Sequence, residues 1–564
     1  MKIVCLVKQV PQAGAIEFDE DTKTLRREGV PLELNPFDRF AVGHALALRE
    51  QAGGEVVAMS MGPPQAAEAL REAIALGADR AILLSDRVFA VADTLGTSRT
   101  LALALRKEGF DLVLCGVKTT DSETWQVPPE VAAFVRVPHL TNAIAFEEDG
   151  AELRVRRFTD AAEEVWRVSV PAVVSVAAPP APAARATSGG KVETWAAVDL
   201  VDEVAEYDQR FGQTGSPTRV LAVRDAIPER ARYEAASVDE ARSKVAELLA
   251  ARAPAQASWD KPPHAAEQPA ASYDCWVLVE THERQPTRAA LELLARAREL
   301  SGKLGGRAVA LALEPLDAEL GRHGADVVQR VRHDGDAGAA LRNVLERHRP
   351  HVLLIPATQW GRELGPRAAG ELELAMTGEC LGVDIAKAGR LLQQKPAYGG
   401  NIVSVIMGAT TPQLATVRPR MYEPLEPRDA VAEEREEHVA AAANGLELLE
   451  RRPHLHPAHE LDAADTVVLL GGELEGIDGN AAVAYTRSVV ERGQAPRHLH
   501  VGLLGRAVAP RLLVAVGVAG DVEELSGFVK SRVVVSVNGG GATNDRADVV
   551  LRGDAVGLVS ALLA

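Results

Sequence analysis

The chain has 564 residues, of which 47% are apolar, and a formal net charge of −17. This length predicts three or four globular domains, and the negative charge argues against a nucleic-acid-binding protein. Aromatic residues make up only 4% of the chain, so a surface on which bases stack is not expected. Scattered cysteines without a CxxC pair indicate a reducing compartment, with no disulfide framework and no metal–thiolate site. These cysteines are Cys5, Cys115, Cys275 and Cys380.

The N-terminal sequence MKIVCLVKQVP becomes polar too early for a signal peptide. No apolar run reaches the length of a membrane span. We therefore expect a cytoplasmic protein.

Short β-branched runs alternate with Ala/Leu-rich stretches of helical length, which predicts an α/β fold with largely parallel sheets. A helix is predicted over 36–51, with Asn35 as its cap. The predicted strands cover 2–7, 55–61, 80–85, 111–116, 274–280, 307–313, 351–357, 466–472, 512–518 and 533–538.

The second block of elements looks like a copy of the first. GADRAILLS (77–85) is matched by GADVVQRV (324–331), and residues 111–133 are matched by 351–370 in the order strand, polar loop, Pro-containing helix. This pattern predicts two copies of one domain. An Ala/Pro-rich stretch over 249–272 predicts a linker between them. The acidic stretch 426–442 is predicted to be a solvated helix or a connector.

One loop between a strand and a helix is unusually polar. GVKTTDSETWQVPPE (116–130) follows the apolar run FDLVLC and precedes EVAAFV. Because the first amides of a helix are unpaired and its dipole is positive there, such a loop can hold a phosphate. The alternative is an ordinary cap, with Thr124 or Gln126 at the cap position and Pro128 and Pro129 in the first turn.

Several motifs together resemble a known family. MKIVCLVKQVP, LNPFDRFAVGHALALRE, GADRAILLSDRVFAVADTL and LVLCGVKTTDSETWQVPPE follow, in order, the beta subunit of electron transfer flavoproteins. ATQWGRELGPRAA, KPAYGGNIVSVI and TVRPRMYEP are similar to the alpha subunit. The resemblance implies a beta–alpha fusion in one chain, with the beta part first.

For the fold, the resemblance implies two pseudo-repeated parallel-sheet domains that resemble adenine nucleotide alpha hydrolases. A C-terminal Rossmann-like flavin-binding domain follows them. The implied bounds are 1–248 for the beta-like domain, 249–272 for the linker, 273–450 for the alpha N-terminal-like domain and 451–564 for the FAD-binding-like domain.

For function, the resemblance implies an electron carrier rather than an enzyme with its own substrate. It would take electrons from flavin dehydrogenases and pass them to a quinone reductase or another acceptor through FAD, with AMP or a second FAD at the beta site. Two alternatives stay open: an electron-bifurcating flavoprotein with two FAD and NADH, and a nucleotide-binding scaffold that has lost its C-terminal flavin. The redox partners and the oligomeric state stay open as well.

At the beta site, the resemblance places the nucleotide's ring along the backbone of Leu6–Lys8 and its phosphates at the loop Asp121–Val127. Gln126 is expected to fix the loop, and Asp121 to orient it or to bind ribose. Pro128 stands where the family usually has Gly, which removes one amide donor. The residues expected to bind the nucleotide are Leu6, Lys8, Asn35, Asp38, Asp121, Ser122, Thr124, Gln126 and Val127.

At the C-terminal flavin site, part of the family pattern is kept and part is lost. Arg487 is the cation expected near the flavin's reactive edge. Other positions kept for the cofactor are Gly502, Gly505, Gly517, Gly520, Asn538 and Asp548. Residues that contact flavin or phosphate in the family are replaced here by Leu503, Leu504, Ala519, Glu524 and Gly539. The sequence therefore leaves open whether this site binds FAD.

Two further segments bear on partners and metals. Residues 177–191, where the family carries an anchoring Leu for dehydrogenases, contain no Leu or Met. Docking to a typical acyl-CoA dehydrogenase through that anchor is therefore not expected. RPHLHPAHE (452–460) has three His residues, but its prolines predict a connector rather than a metal site.

Overall fold

A computed structural model places most of the chain. The described residues are 1–12, 17–19, 24–26, 29–180, 190–201, 208–225, 228–254, 257–262, 273–400, 402–472 and 481–564. The fold is α/β with parallel sheets, which confirms the fold class expected from the sequence.

The first sheet has ten strands in the described part of the chain. Seven neighbouring strands run parallel, and the last three continue the sheet antiparallel. From edge to edge they are Val192–Trp195, Arg80–Leu84, Glu55–Met61, Lys2–Leu6, Leu112–Gly116, Ala172–Val176, His139–Asp149, Glu152–Phe158, Ala162–Ser169 and Leu446–Pro453.

The second sheet repeats the strand order of the first with seven parallel strands. They are Met376–Cys380, Gln413–Val417, Val352–Pro356, Cys275–Leu278, Ala308–Ala312, Val327–His333 and Glu433–Val439. The helix or connector predicted over 426–442 is wrong, because Glu433–Val439 pairs with Val327–His333 as an edge strand. Arginines of Val327–His333 form ion pairs with the glutamates of this edge strand, for example Arg330 with Glu434 at 2.9 Å.

The third sheet is also parallel and takes one strand from the first half of the chain. Its strands are Tyr233–Glu234, Val549–Leu551, Val533–Val537, Leu512–Val516, Thr466–Leu470 and Ala482–Tyr485. The helix Val238–Ala251 packs on it through Ala241 and Val245. This helix includes the first residues of the segment 249–272, of which 255–256 and 263–272 lie outside the described residues.

The two halves of the chain exchange strands. Thr218–Asp225 from the first half pairs antiparallel with Ile402–Gly408, in a four-stranded sheet that also contains Leu391–Ala397 and Gly382–Ile385. In return, Leu446–Pro453 pairs with Ala162–Ser169 of the first sheet. Smaller two-stranded pairs are Gln9–Pro11 with Leu32–Leu34, Glu17–Asp19 with Thr24–Arg26, and Thr281–His282 with Gln285–Pro286.

Helices cover both faces of the sheets. The α-helices are Pro36–Ala52, Ala67–Leu76, Thr94–Glu108, Val127–Val135, Val238–Ala251, Arg288–Leu304, Ala337–His348, Gln359–Leu372, His459–Ala463, Arg487–Glu491, Val522–Ser526, Gly541–Asp545 and Ala555–Leu563. Val127–Val135 and its repeat Gln359–Leu372 pack against each other, because Gly370 lets its helix come close to Glu130 and Ala133. The repeated domains therefore meet through equivalent helices.

Within the described residues, no helix is both long and apolar enough to cross a membrane. The four cysteines are free and buried. In the same part of the chain, no group of three or more His, Cys, Asp or Glu residues is placed to hold a metal ion.

Candidate functional site

Two buried side chains at the start of helix Pro36–Ala52 hold the strand ends of the first sheet. Asp38 accepts hydrogen bonds from the amides of Lys8, at 2.8 Å, and Gly116, at 2.9 Å. Asn35 donates to the carbonyl of Lys118 at 3.0 Å and accepts from the amide of Thr120 at 3.3 Å. Burial raises the pKa of Asp38 to about 7, although these hydrogen bonds oppose the rise. The two residues position the loop backbone.

Asp121 in the loop forms an ion pair with Lys8, which follows the first strand; the distance between Nζ and Oδ2 is 2.6 Å. The other carboxylate oxygen of Asp121 accepts from the amide of Ser122 at 2.8 Å. Burial alone would raise the pKa of Asp121, but the ammonium of Lys8 lowers it overall. Asp121 thus makes its contacts within the loop and with Lys8, and its role toward a nucleotide stays a prediction.

The start of helix Val127–Val135 carries no side-chain cap, although Gln126 stands at the cap position. In the part of the chain that the structure describes, the amides of Thr124, Trp125 and Gln126 donate no hydrogen bond to the protein. The repeated domain differs, because there Thr358 caps its helix by accepting from the Gly361 amide at 3.3 Å. Free amides at a helix start are suited to an anion.

A further polar atom near this loop has no partner among the described residues. The hydroxyl of Thr120 is buried without a hydrogen bond. Nearby, Ser122 and Thr119 share a hydrogen bond of 2.9 Å between their hydroxyls. The free amides of the loop are suited to a phosphate group, whereas the ammonium of Lys8 is already paired with Asp121.

Gln126 ties the loop to the second domain. Its amide nitrogen donates to the carbonyl of Met376 at 3.2 Å and to Glu130 at 3.1 Å, and its oxygen accepts from the Gly378 amide at 3.1 Å. The side chain is buried. These contacts join the loop to the second domain, and the role of Gln126 toward a nucleotide stays a prediction. Leu6 and Val127 place their side chains in the same hydrophobic core.

Beneath the loop lies a buried charge network that joins the two repeated domains, and sequence reasoning missed it. Lys118 pairs with Glu123 at 3.3 Å, and Arg418 bridges Glu123, at 3.4 Å, and Glu379, at 2.9 Å. Arg362 completes the network with Glu379 at 2.7 Å. Burial would raise the pKa of Glu379, but the two guanidinium groups lower it to about 2. The network fixes both ends of the loop segment 118–123.

In the third domain, the loop after strand Leu512–Val516 is occupied by the chain's own carboxylates. The carboxylate of Glu524 accepts from the Gly520 amide at 2.9 Å. Asp521 caps the short helix Val522–Ser526 by accepting from the Glu524 amide at 2.7 Å. A Cβ at Gly517 would meet no atom within 4 Å, so space is left there.

The other residues expected to hold the flavin make contacts within the protein. Arg487 pairs with Glu491 and Glu523, each at 2.7 Å. Asn538 exchanges hydrogen bonds with Gly553 at 2.8 and 3.0 Å.

Asp548 is fully buried between Arg230 and Arg252, at 2.9 Å from each. Gly505 packs closely against the backbone and ring of His500, and Gly502 packs against the same ring. The roles of these residues toward a cofactor stay predictions.

The two loops differ in which of their polar groups already have partners. In the first-domain loop the amides of Thr124, Trp125 and Gln126 have no partner among the described residues. In the third-domain loop the Gly520 amide is bonded to Glu524, while the amides of Val518, Ala519 and Asp521 donate no hydrogen bond to the described residues. A pyrophosphate in the third-domain loop would lie beside the carboxyl groups of Glu524 and Asp521, and burial raises the pKa of Glu524. Both loops therefore offer backbone amides to a phosphate, and the third-domain loop also places the carboxyl groups of Glu524 and Asp521 beside them.

Two parallel-sheet repeats followed by a third parallel-sheet domain are typical of nucleotide-binding α/β proteins. Residues 22–200 and 275–443 match the electron transfer flavoprotein domain, and residues 475–529 match the electron transfer flavoprotein FAD-binding domain. The first of these matches covers more than half of the chain. The chain belongs to the electron transfer flavoprotein family, for which the second match supports FAD as the cofactor.

Curated relatives resemble either half of the chain. Electron transfer flavoprotein subunit beta of Thermoanaerobacterium thermosaccharolyticum is 38% identical over 235 residues, which are 41% of this chain and 90% of that protein. Subunit alpha of Clostridium acetobutylicum is 31% identical over 295 residues, 47% of this chain and 87% of that protein.

Caffeyl-CoA reductase-Etf complex subunit CarD of Acetobacterium woodii is 42% identical over 177 residues, 31% of this chain and 68% of that protein. Together these relatives identify a beta–alpha fusion, as expected from the motifs.

Proposed function

We propose that the chain is an electron carrier that takes electrons from a flavin dehydrogenase and passes them to a quinone reductase or another acceptor. The family supports electron transfer in general, and the name of the CarD relative places that protein in a complex with a reductase. The observation that carries the proposal is the uncapped helix start after Gln126, with its free amides. FAD supplies the redox chemistry when bound.

The chain's own groups would hold the nucleotide and shield it. The amides after Glu123 donate to the phosphates, and Lys8 adds a positive charge at the mouth of the loop. Gln126 and the Lys118–Glu123–Arg418 network keep the loop in one shape, so its donors stay oriented. AMP at this site would use the same donors, and FAD and AMP are distinguished by analysis of the released nucleotide.

Two other functions differ in what they require. An electron-bifurcating protein with NADH requires FAD at two sites, and the carboxylates of Glu524 and Asp521 count against the second. A nucleotide-binding scaffold without flavin is favoured by those same contacts. It would keep the first-domain loop but carry no redox group.

The test is anaerobic reduction of the purified protein. We expect a flavin spectrum that bleaches on photoreduction and returns when a one-electron acceptor such as ferricenium is added. A colourless protein that takes up no added FAD would contradict the proposal and favour the scaffold. Bleaching by NADH alone would favour the bifurcating protein.

A further inference from the structure

One turn of the first half meets the third domain beside two pairs of histidine rings. We propose that this junction is an acid-sensitive latch, which holds the third domain closed while the paired imidazoles are neutral and releases it when both rings of a pair carry a proton. The inference goes beyond the proposed function, because it does not depend on which nucleotide the protein binds.

Residues 159–161 form a turn at the tip of a hairpin of the first sheet, and this turn contacts both other domains. The carboxylate of Asp160 accepts a hydrogen bond from the Gln359 amide of the second domain at 2.9 Å. It also pairs with Arg506 of the third domain at 3.1 Å. The carbonyl of Asp160 accepts from the Ala458 amide at 2.7 Å. The three domains therefore meet at this turn.

The first pair of rings lies against the turn. His454 and His498 stack with their ring centroids 3.7 Å apart and an angle of 12° between their planes. The His454 amide donates to the carbonyl of Ala161 at 2.9 Å, and Nε2 of His454 lies 3.2 Å from the carbonyl oxygen of Thr159. Nε2 of His498 lies 2.9 Å from the carbonyl oxygen of His456. Because a carbonyl oxygen only accepts, Nε2 carries the hydrogen in both neutral rings, and an added proton goes to Nδ1.

The second pair joins the second domain to the third. His282 lies in the short strand Thr281–His282, and His459 is the first residue of the helix His459–Ala463. Their ring centroids are 4.2 Å apart. Each of the two pairs thus joins segments that would separate if the third domain moved away.

The groups around the rings favour the uncharged form. Besides the partner rings, the charged groups that face the histidines are Arg506, Asp160, Glu163 and Glu460. Burial is the first cause that lowers the pKa of His454, His459 and His498, and it lowers that of His498 to about 4. The carboxylate of Asp160, which would favour charged rings, is already shared between Arg506 and the Gln359 amide.

The number of protons on a pair decides whether the latch holds. One proton adds a single positive charge, which the neighbouring carboxylates offset. A second proton places two like charges on stacked rings, where little water screens their repulsion. In the open form the rings are hydrated and their pKa values return toward about 6.5. The closed form therefore loses stability relative to the open form as the pH falls below about 6.5. The strand Tyr233–Glu234 still ties the opened domain to the first half.

The experiment follows the distance between two domains of the full-length protein by energy transfer between dyes. The native cysteines are buried, so the dyes are attached to new ones. Val198→Cys lies in the first domain at a residue that is 71% exposed, and Gly541→Cys lies in the third, where a Cβ meets nothing within 4 Å. We expect the ratio of open to closed molecules to rise at least about tenfold from pH 7.5 to pH 5. Circular dichroism at each pH checks that the protein stays folded.

Variants of the rings assign the response to the latch. Combining His459→Phe with His498→Phe keeps an aromatic ring in each pair but leaves only one ring that can take up a proton. The rise should then be less than about twofold. Combining His459→Gln with His498→Gln should have the same effect, which keeps the test valid if the phenyl rings disturb folding. His438→Phe is the matched control, because His438 lies 57% exposed beside Asp334, and it should keep the full response.

The outcomes are distinct from those that test the proposed function. A distance that stays constant from pH 7.5 to pH 5 would overturn the latch. So would a full response in both double variants, or a change in distance that occurs only together with loss of the helical signal. The bound flavin and its reduction are measured separately, so an electron carrier without this latch would still be recognised.

Discussion

Glu130 is a buried carboxyl in the helix Val127–Val135, which follows the polar loop 116–126. It accepts hydrogen bonds from the hydroxyls of Ser98, at 3.0 Å, and Thr94, at 3.1 Å, and from Gln126 at 3.1 Å. Burial raises its pKa to about 8, and the nearby Asp93 adds to the rise. Between about pH 4.5 and about pH 8, Glu130 therefore keeps its proton in the folded protein, whereas the unfolded chain has released it.

This proton predicts how stability depends on pH. Because the pKa of Glu130 is higher in the folded state, its contribution to the free energy of unfolding falls as the pH rises from about 4.5 to about 8. Glu130→Gln removes the contribution, so the stability of the variant relative to the wild type should increase across that window. The increase is at most about 1.4 kcal/mol per pH unit.

Urea unfolding at pH 5, 6.5 and 8 measures this difference. Glu68→Gln is the control, because the carboxyl of Glu68 lies on the surface at 69% exposure. A constant difference between Glu130→Gln and the wild type would contradict the assignment.

Gly378 is a second residue on which the loop depends. A Cβ at this position would press on the carbonyl of Thr124 and the side-chain oxygen of Gln126. Gly378→Ala should cost about 1–3 kcal/mol of stability and lower the nucleotide content, since the loop must shift. The measurement is nucleotide per chain together with urea unfolding. Gly541→Ala is the control, because a Cβ there meets nothing within 4 Å.

At the scale of elements, the strand Tyr233–Glu234 joins the third sheet from the first half of the chain. Its attachment depends on the buried carboxylate of Asp548. Arg230→Ala leaves the fully buried Asp548 with Arg252 as its remaining charged partner. The loss should destabilise the protein by about 3 kcal/mol, because a buried carboxylate loses a partner. Thermal unfolding measures it. The exposed Arg332, paired with Glu436, is the control, and Arg332→Ala should change stability by less than about 1 kcal/mol.

The regular elements were predictable because their signal is local. The strand predicted over 55–61 is Glu55–Met61, and the helix predicted over 36–51 is Pro36–Ala52. The edge strand Glu433–Val439 escaped prediction, since its sequence EEREEHV has neither an apolar alternation nor a core to face. This segment forms a strand because Val327–His333 pairs with it and supplies arginines that form ion pairs with its glutamates.

At the scale of the whole molecule, the sequence predicted where the loop is but not what supports it. The polar run 116–130 is visible in the sequence, and so is its copy in the second half. The contacts of Gln126 with Gly378 and of Glu123 with Arg418 join residues far apart in the sequence, so no local pattern reports them. The sequence shows that Glu524 stands where the family has another residue. Only the structure shows that the Glu524 carboxylate accepts a hydrogen bond from the Gly520 amide.

The exchanged strands predict that the two halves stay together without a covalent link. If a protease site is placed within 263–272 and the folded protein is cut there, the fragments should elute as one species in size-exclusion chromatography. The pairing of Thr218–Asp225 with Ile402–Gly408 and the buried network both cross between them. Separation of the fragments at physiological salt would contradict this. Denaturant should part them, which serves as the control.

The same exchange has a consequence for how the protein is made. Thr218–Asp225 leaves the ribosome well before its partner Ile402–Gly408 exists, and Ala162–Ser169 waits still longer for Leu446–Pro453. At ordinary rates of translation the delay is about 10–60 s. During that time the nascent first half presents bare strand edges, which are templates for wrong pairing. A single transcript delivers the matching strands in cis, so the correct partner is the nearest one when it emerges.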